Sequence, residues 1–147
     1  GVLPVQNTLA GVLRDSCRLL AGAPVTVLDE LTLPISHTLI ALAATPLSAL
    51  RSVRSHPAAL AQCRRFLRAH PAIAPIAAAD TASAVESIVR DSTPTVAAIA
   101  GAPAAALYGA RILLNGIEDC PGNCTRFLIF ARTITHGAYS ESPYRFR

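Results

Sequence analysis

Apolar residues come in short dense runs, parted by turn-forming residues, and these runs alternate with stretches where apolar positions recur every three or four residues. Runs of the first kind read as buried strands and stretches of the second as amphipathic helices. Residues 3–5 predict a short strand, followed by a polar turn at Gln6-Asn7-Thr8. Residues 9–20 predict a helix with Val12, Cys17 and Leu20 inward, stopped by Gly22 and Pro24. Strands are expected at 25–28 and 31–35, and the apolar stretch 37–44 continues or crosses the same sheet. Thr45-Pro46 reads as a hydroxyl N-cap with Pro at the first helical position, opening a short turn at 47–50. Ser55 or His56 caps a helix at about 57–70, with Leu60, Cys63, Phe66 and Leu67 on one face and Arg64, Arg65 and Arg68 on the other.

A second amphipathic helix follows Asp80-Thr81, with Val85, Ile88 and Val89 inward and Glu86 and Arg90 outward. Residues 95–100 predict a compact buried strand, and 102–108 a short helix closed by Gly109 in the left-handed conformation. Strands at 112–114 and 125–131 complete the pattern, and 137–147 reads as a turn-rich surface tail. Strand and helix alternate at βαβ spacing, which predicts an α/β fold with helices on the sheet faces and parallel strands dominant.

Composition narrows the class. With 52% hydrophobic and 15% charged residues over 147 positions, the chain can build one ordinary core and is not disordered. No apolar stretch reaches the roughly 18 residues that span a bilayer, and the longest mild run is broken by Pro103. All 13 basic residues are arginine, and the net charge is +4. The arginines at 51, 54, 64, 65 and 68 lack interleaved aromatics, so they read as a solvated basic face rather than a nucleic-acid site. Cys17 and Cys63 fall on apolar helical faces, and Cys120 and Cys124 lack the Cys-x-x-Cys spacing of a zinc site. Four free thiols in a reducing, cytoplasmic compartment follow, with no metal.

The candidate chemistry lies at turns and element ends. Thr125-Arg126-Phe127 delivers a hydroxyl, a guanidinium and a ring at the mouth of the last strand, a set suited to a small organic anion. Ser55 and Thr81 stand at helix starts, where the backbone field favours negative charge. Each has a plainer role open to it: Ser55 and Thr81 as caps, Gln62 as a solvated residue, Arg126 as partner to a carboxylate such as Asp119.

Five segments in order resemble one family. Leu3-Pro4-Val5-Gln6-Asn7 with Gly11 is similar to the Pro-x-Glu-Asn-x-x-x-Gly stretch of prephenate dehydratases. Leu33-Pro34-Ile35-Ser36-His37-Thr38-Leu39, Ser55-His56-Pro57 with Gln62-Cys63, and Asp80-Thr81-Ala82-Ser83-Ala84 with Ala106-Leu107-Tyr108-Gly109 resemble later segments of that family. Asn123-Cys124-Thr125-Arg126-Phe127 matches its closing Asn-x-Thr-Arg-Phe. The resemblance implies a two-lobed α/β domain like the type II periplasmic binding proteins, with the active cleft between the lobes. The chain would supply most of lobe 2 (about 24–123) and part of lobe 1 (about 1–23 and 124–147), with the opening segment of the domain missing.

It implies conversion of prephenate to phenylpyruvate, without metal or organic cofactor, in phenylalanine biosynthesis, by a homo-oligomer. Thr125 would be the hydroxyl essential to dehydration. Arg126 and Phe127 would shape the catalytic site, and Gln6, Asn7, Ser55, Gln62 and Thr81 would contact the substrate. Gln6 stands where the family has Glu, and Gln cannot carry charge or act as acid or base. That substitution leaves two further readings open: a relative that decarboxylates prephenate without aromatising it, and a catalytically silent binding module in the same cleft.

Overall fold

The computed structural model describes residues 1–133, and the expected tail at 137–147 lies outside them. Mixed α/β structure forms two units, Gly1–Ile35 with the chain from Gly122, and Ser36–Pro121.

The first unit is a four-stranded, wholly antiparallel sheet. Its strands are β1 (Val2–Asn7), β2 (Gly11–Val12), β3 (Val25–Pro34) and β9 (Cys124–Arg132), in the order β2-β1-β9-β3. The first boundary, expected near residue 24, falls instead after Ile35, because β3 pairs with β9 from Val25 to Pro34. The two expected strands at 25–28 and 31–35 are one, kinked by a bulge between Val27 and Asp29. The helix expected at 9–20 begins later, as α1 (Arg14–Gly22), and Val12 is exposed on β2 rather than turned inward. The cause is local. Asn7 Oδ1 accepts from the backbone N–H groups of Leu9 and Ala10, and Gly11 has φ +75°. That turn folds Gln6 and Asn7 back against Val12 and Gly11 as a hairpin. Leu20 of α1 then closes a small core with Val5 and Leu128, flanked by Cys17 and Phe130.

The second unit holds five strands, β4 (Thr38–Ala41), β5 (Ser52–Ser55), β6 (Ala74–Ala77), β7 (Val96–Ala100) and β8 (Arg111–Leu114), in the order β6-β5-β7-β4-β8. Only β5 runs parallel to its neighbours β6 and β7; β4 is antiparallel to β7 and β8. The expectation of dominant parallel pairing therefore holds for one βαβαβ stretch and fails elsewhere. Strand β6 escaped the hydrophobic pattern because it is an exposed edge strand carrying Pro75.

Strand β7 is buried along its whole length, which is why it reads as a continuous apolar run. Leu39, Ala97 and Ile99 face one core with Ala59, Cys63 and Phe66. Ile40, Ala98 and Ala100 face the other, with Val85 and Ile88 of α4 (Thr81–Arg90) and Ala105 of α5 (Ala102–Tyr108). The inward and outward faces expected for α4 are observed, as is the cap of α5 at Gly109, with φ +67°. Thr45 does not cap. The short 3-10 turn Leu47–Ala49 has no side-chain cap bond, and the buried Thr45 hydroxyl has no partner among the described residues.

The single helix expected at 57–70 is two, α2 (Pro57–Gln62) and α3 (Arg64–Ala69), parted at Cys63. Asp119 explains the break. Its carboxylate accepts from the backbone N–H groups of Arg64 and Arg65, and its own N–H donates to the Gln62 carbonyl. It therefore caps α3 from a distant loop, which sequence periodicity does not register. Burial pushes the Asp119 carboxyl upward, but the Arg65 and Arg64 backbone donors, with the charges of Arg65 and Arg68, outweigh this and hold it below the usual value. Beside it, burial first and then the Asp119 and Glu118 charges push the Cys63 thiol up to about 12, an inert thiol.

Asp119→Ala is expected to cost about 1 kcal/mol, as loss of a helix cap does, read by urea unfolding. The folded carboxyl titrates below its unfolded value of 3.8, so its contribution is complete above about pH 4 and is lost as pH falls further. An Asp119→Asn protein whose stability falls as steeply as wild type below pH 4 would refute that contribution.

Candidate functional site

A bulge in β1 builds the first constellation. Between Pro4 and Gln6 the register against β9 shifts, so that Gln6 comes opposite Arg126 and Asn7 opposite Thr125. Asn7 Oδ1 is occupied by Leu9 N–H and Ala10 N–H, which fixes the amide orientation and turns its nitrogen toward β9. That nitrogen donates to Asn123 Oδ1 at 2.9 Å, to Thr125 Oγ1 at 3.0 Å and to the Cys124 carbonyl at 3.2 Å. Thr8 fastens the same turn by accepting from the Cys124 N–H. The Thr125 oxygen thus accepts from Asn7, and the hydroxyl proton remains free to be donated elsewhere. Thr125 is 8% exposed, so this direction is protected from competition by water.

Arg126 projects on the opposite face of β9 from Thr125. Its guanidinium reaches Glu30 at 3.6 Å with both side chains about half exposed, not Asp119, which pairs with Arg65. Exposed pairs of this kind contribute about 0–1 kcal/mol, so Arg126 can exchange Glu30 for a ligand carboxylate at little cost. Gln6, Asn7, Thr32, Cys124 and Arg126 line a cavity of about 370 Å³ in this unit. Phe127 is half-buried on the Thr125 face, and neither Phe127 nor Thr125 lines that cavity.

The second unit places its candidates differently. Gln62 at the end of α2 and Thr81 at the start of α4 line a cavity of about 280 Å³ with His37, His56 and Asp80. His56, not Ser55, caps α2: its Nδ1 accepts from Ala58 N–H. Asp80 caps α4 by accepting from Ser83 N–H, and that donor holds its carboxyl below the usual value. Ser55 is fully buried, and its one proton goes to the Ile99 carbonyl at 2.6 Å. The structure therefore puts Ser55 in the seam between β5 and β7 and not on the cavity wall. A roomier cavity of about 630 Å³, lined by Leu47, Leu50, His70 and Ile73, contains none of the expected residues and little chemistry beyond one imidazole.

Three residues that carry this geometry had no assigned role in the sequence reading. Asn123 is 4% exposed and shares the Asn7 amide. His37 is 6% exposed and meets Gln62 at 2.7 Å. Glu118 accepts from the His37 N–H and the Ser36 hydroxyl. Asn123 stood two positions before Thr125 in a recognisable segment, which was the available signal. His37 likewise stood in a recognisable segment, residues 33–39, whereas Glu118, 81 positions further on, lay in none.

The sequence profile of the prephenate dehydratase family matches residues 1–135. The chain is 42% identical over 132 residues to arogenate dehydratase 5, chloroplastic, of Arabidopsis thaliana, covering 89% of this chain and 31% of that protein. It is 33% identical to the bifunctional chorismate mutase/prephenate dehydratase of Escherichia coli K12, covering 89% and 34%. The chain thus spans about a third of these curated relatives. Among solved structures, a prephenate dehydratase from Arthrobacter aurescens in complex with L-Phe superposes with a TM-score of 0.79 at 28% identity, covering 95% of this chain and 46% of that one. A quorum quenching acylase, GqqA, superposes with a TM-score of 0.80 at 32% identity, covering 91% and 48%.

Proposed function

This chain belongs to the prephenate dehydratase family, and from that premise we propose that it is the part of a carbon–oxygen lyase that turns prephenate into phenylpyruvate in phenylalanine biosynthesis. The observation that carries the reading is the direction of the Thr125 hydroxyl, held by Asn7 as acceptor and left with a proton to give. In the reaction the ring carboxylate leaves as CO2. Its bonding electrons enter the ring, and the ring hydroxyl is expelled from the far carbon. The dianion and one proton yield the phenylpyruvate monoanion, CO2 and water. Aromatisation drives the step, so the protein must grip the dianion and stabilise departing hydroxide. Thr125 donates its hydrogen bond to the leaving oxygen, a contribution of general-acid type. Arg126, weakly engaged by Glu30, offers its guanidinium to an anion at the cavity it shares with Gln6, on the face of β9 opposite Thr125. Gln6 supplies hydrogen bonds to the same cavity without charge.

Full-length protein incubated with prephenate should produce phenylpyruvate, followed by its absorbance. A folded full-length sample that yields none rejects the reading. Proton NMR of the product separates dehydration from decarboxylation without aromatisation, since only the latter keeps the ring hydroxyl. Relatives named for arogenate make that substrate the comparison to run beside prephenate. We place the protein in the cytoplasm, supported by its four free cysteines, and as a homo-oligomer, supported by the exposed Val2, Leu28, Leu31 and Leu33 of its first sheet. Among the described residues no helix is long and apolar enough to cross a membrane.

A further inference from the structure

His37 is the most deeply buried ionisable side chain at either cavity, and the reaction just described gives it nothing to do. Its ring Nε2 lies 2.7 Å from Gln62 Oε1, while its Nδ1 is buried without a partner among the described residues. Two arrangements fit those positions. In the first, Nε2 carries the proton and donates to the Gln62 oxygen, leaving Nδ1 as an unfilled acceptor. In the second, the Gln62 amide is reversed and donates to Nε2, which forces a proton onto Nδ1 and strands a buried N–H. Buried donors without partners are the rarer and costlier defect, so the first arrangement prevails.

The consequence lies at Gln62. With its oxygen held by His37, its amide nitrogen has no protein partner among the described residues, and Gln62 lines the 280 Å³ cavity. His56 adds a second donor there. Its Nδ1 is spent on accepting from Ala58 N–H, so its proton sits on Nε2. Thr81 contributes a hydroxyl, and the Asp80 carboxylate is engaged by Ser83 N–H at the start of its own helix. The cavity is therefore rich in donors, the chemistry that recognises a carboxylate.

We propose that His37 is the positioning residue of this cavity: its Nε2–H locks the Gln62 amide so that the NH2 group, and not the oxygen, meets a carboxylate of the substrate. The inference rests on the dehydratase reading for the identity of that substrate.

The test has two parts. First, long-range ¹H–¹⁵N spectra of the full-length wild-type protein, before substrate is added, should show the His37 ring protonated on Nε2. A ring protonated on Nδ1 overturns the proposal whatever the activity. Second, His37→Phe, Gln62→Ala and the double variant are compared with prephenate. His37→Phe should raise KM about tenfold with a much smaller effect on kcat, the loss of one hydrogen bond to a charged group. The same change should have almost no effect in the Gln62→Ala background, because His37 acts only through Gln62. Additive losses would mean a merely structural histidine and would overturn the proposal. If His37→Phe fails to fold, Gln62→Glu decides: it keeps the acceptor for His37 but presents an oxygen to the cavity. It should raise KM beyond Gln62→Ala, and a KM at or below that of Gln62→Ala overturns the proposal. A wild type inert toward prephenate counts against the dehydratase reading, while the spectrum still decides the role of His37.

Discussion

Thr125→Ala is expected to lower kcat for prephenate by roughly 10²- to 10⁴-fold, the range lost when a positioned proton donor is removed. KM should change little, because the hydroxyl acts on the leaving oxygen and not on the carboxylates. Stability should fall by only about 1 kcal/mol. The Asn7 amide that Thr125 abandons still has Asn123 Oδ1 and the Cys124 carbonyl as acceptors, so no buried donor is orphaned. Thr125→Ser, which keeps the hydroxyl and loses a methyl, should retain most of the activity. Steady-state kinetics with full-length protein check both. A Thr125→Ala enzyme with near wild-type kcat would remove this hydroxyl from the chemistry.

Asn7→Asp should be nearly as damaging, and it tests the direction of the hydrogen bond rather than its existence. An aspartate keeps the oxygen that accepts from Leu9 and Ala10, so the turn is retained. Its second oxygen then confronts Asn123 Oδ1, Thr125 Oγ1 and the Cys124 carbonyl where a donor stood. Thr125 relieves one of these clashes by donating its proton to the new carboxylate, and that proton is withdrawn from the substrate. The expected result is a kcat loss of about 100-fold or more, with destabilisation of about 1–3 kcal/mol for the remaining unpaired groups. Kinetics and urea unfolding measured together decide it. An Asn7→Asp enzyme that is destabilised but turns over normally would show that the orientation of Thr125 is immaterial.

Much of this was legible in the sequence where local chemistry governs. The fully buried β7, the inward face of α4 and the glycine cap of α5 follow from periodicity and turn residues alone. The departures share a cause: distant groups that override local preference. The apolar pattern of 57–70 is continuous, yet Asp119 supplies a cap in its middle and makes two helices. The stretch from Leu9 has helical character, yet the Asn7 side chain satisfies the backbone there as a turn.

The same holds for the site. Arg126 and Gln62 line cavities, as polar residues at element ends suggest, whereas Thr125 is buried and its hydroxyl is held by Asn7 across the sheet. Ser55 is also a polar residue before a helix, but its hydroxyl is consumed inside the sheet by a strand 44 positions away. His37 stood in a resembling segment but without a legible role, because its significance is a single contact across 25 residues and an empty lone pair.

The strand order of the first unit also governs when that unit can exist. Strand β9 is the last element described, yet it lies between β1 and β3 and pairs with both. During synthesis β1 has only the short β2 beside it, and β3 has no partner among the described strands, until Arg132 has left the ribosome. The second unit, contiguous from Ser36 to Pro121, is complete before then and can fold as the chain emerges. Once folded, its termini are held together by the Glu118 carboxylate, which takes the Ser36 hydroxyl and the His37 N–H. Closing β1 onto β9 is then no longer a search across some 120 residues of loose chain, since the insertion has already brought its two ends to neighbouring positions. The Thr125 site thus matures after the second unit, and a nascent chain stalled before β9 carries the second cavity without the first.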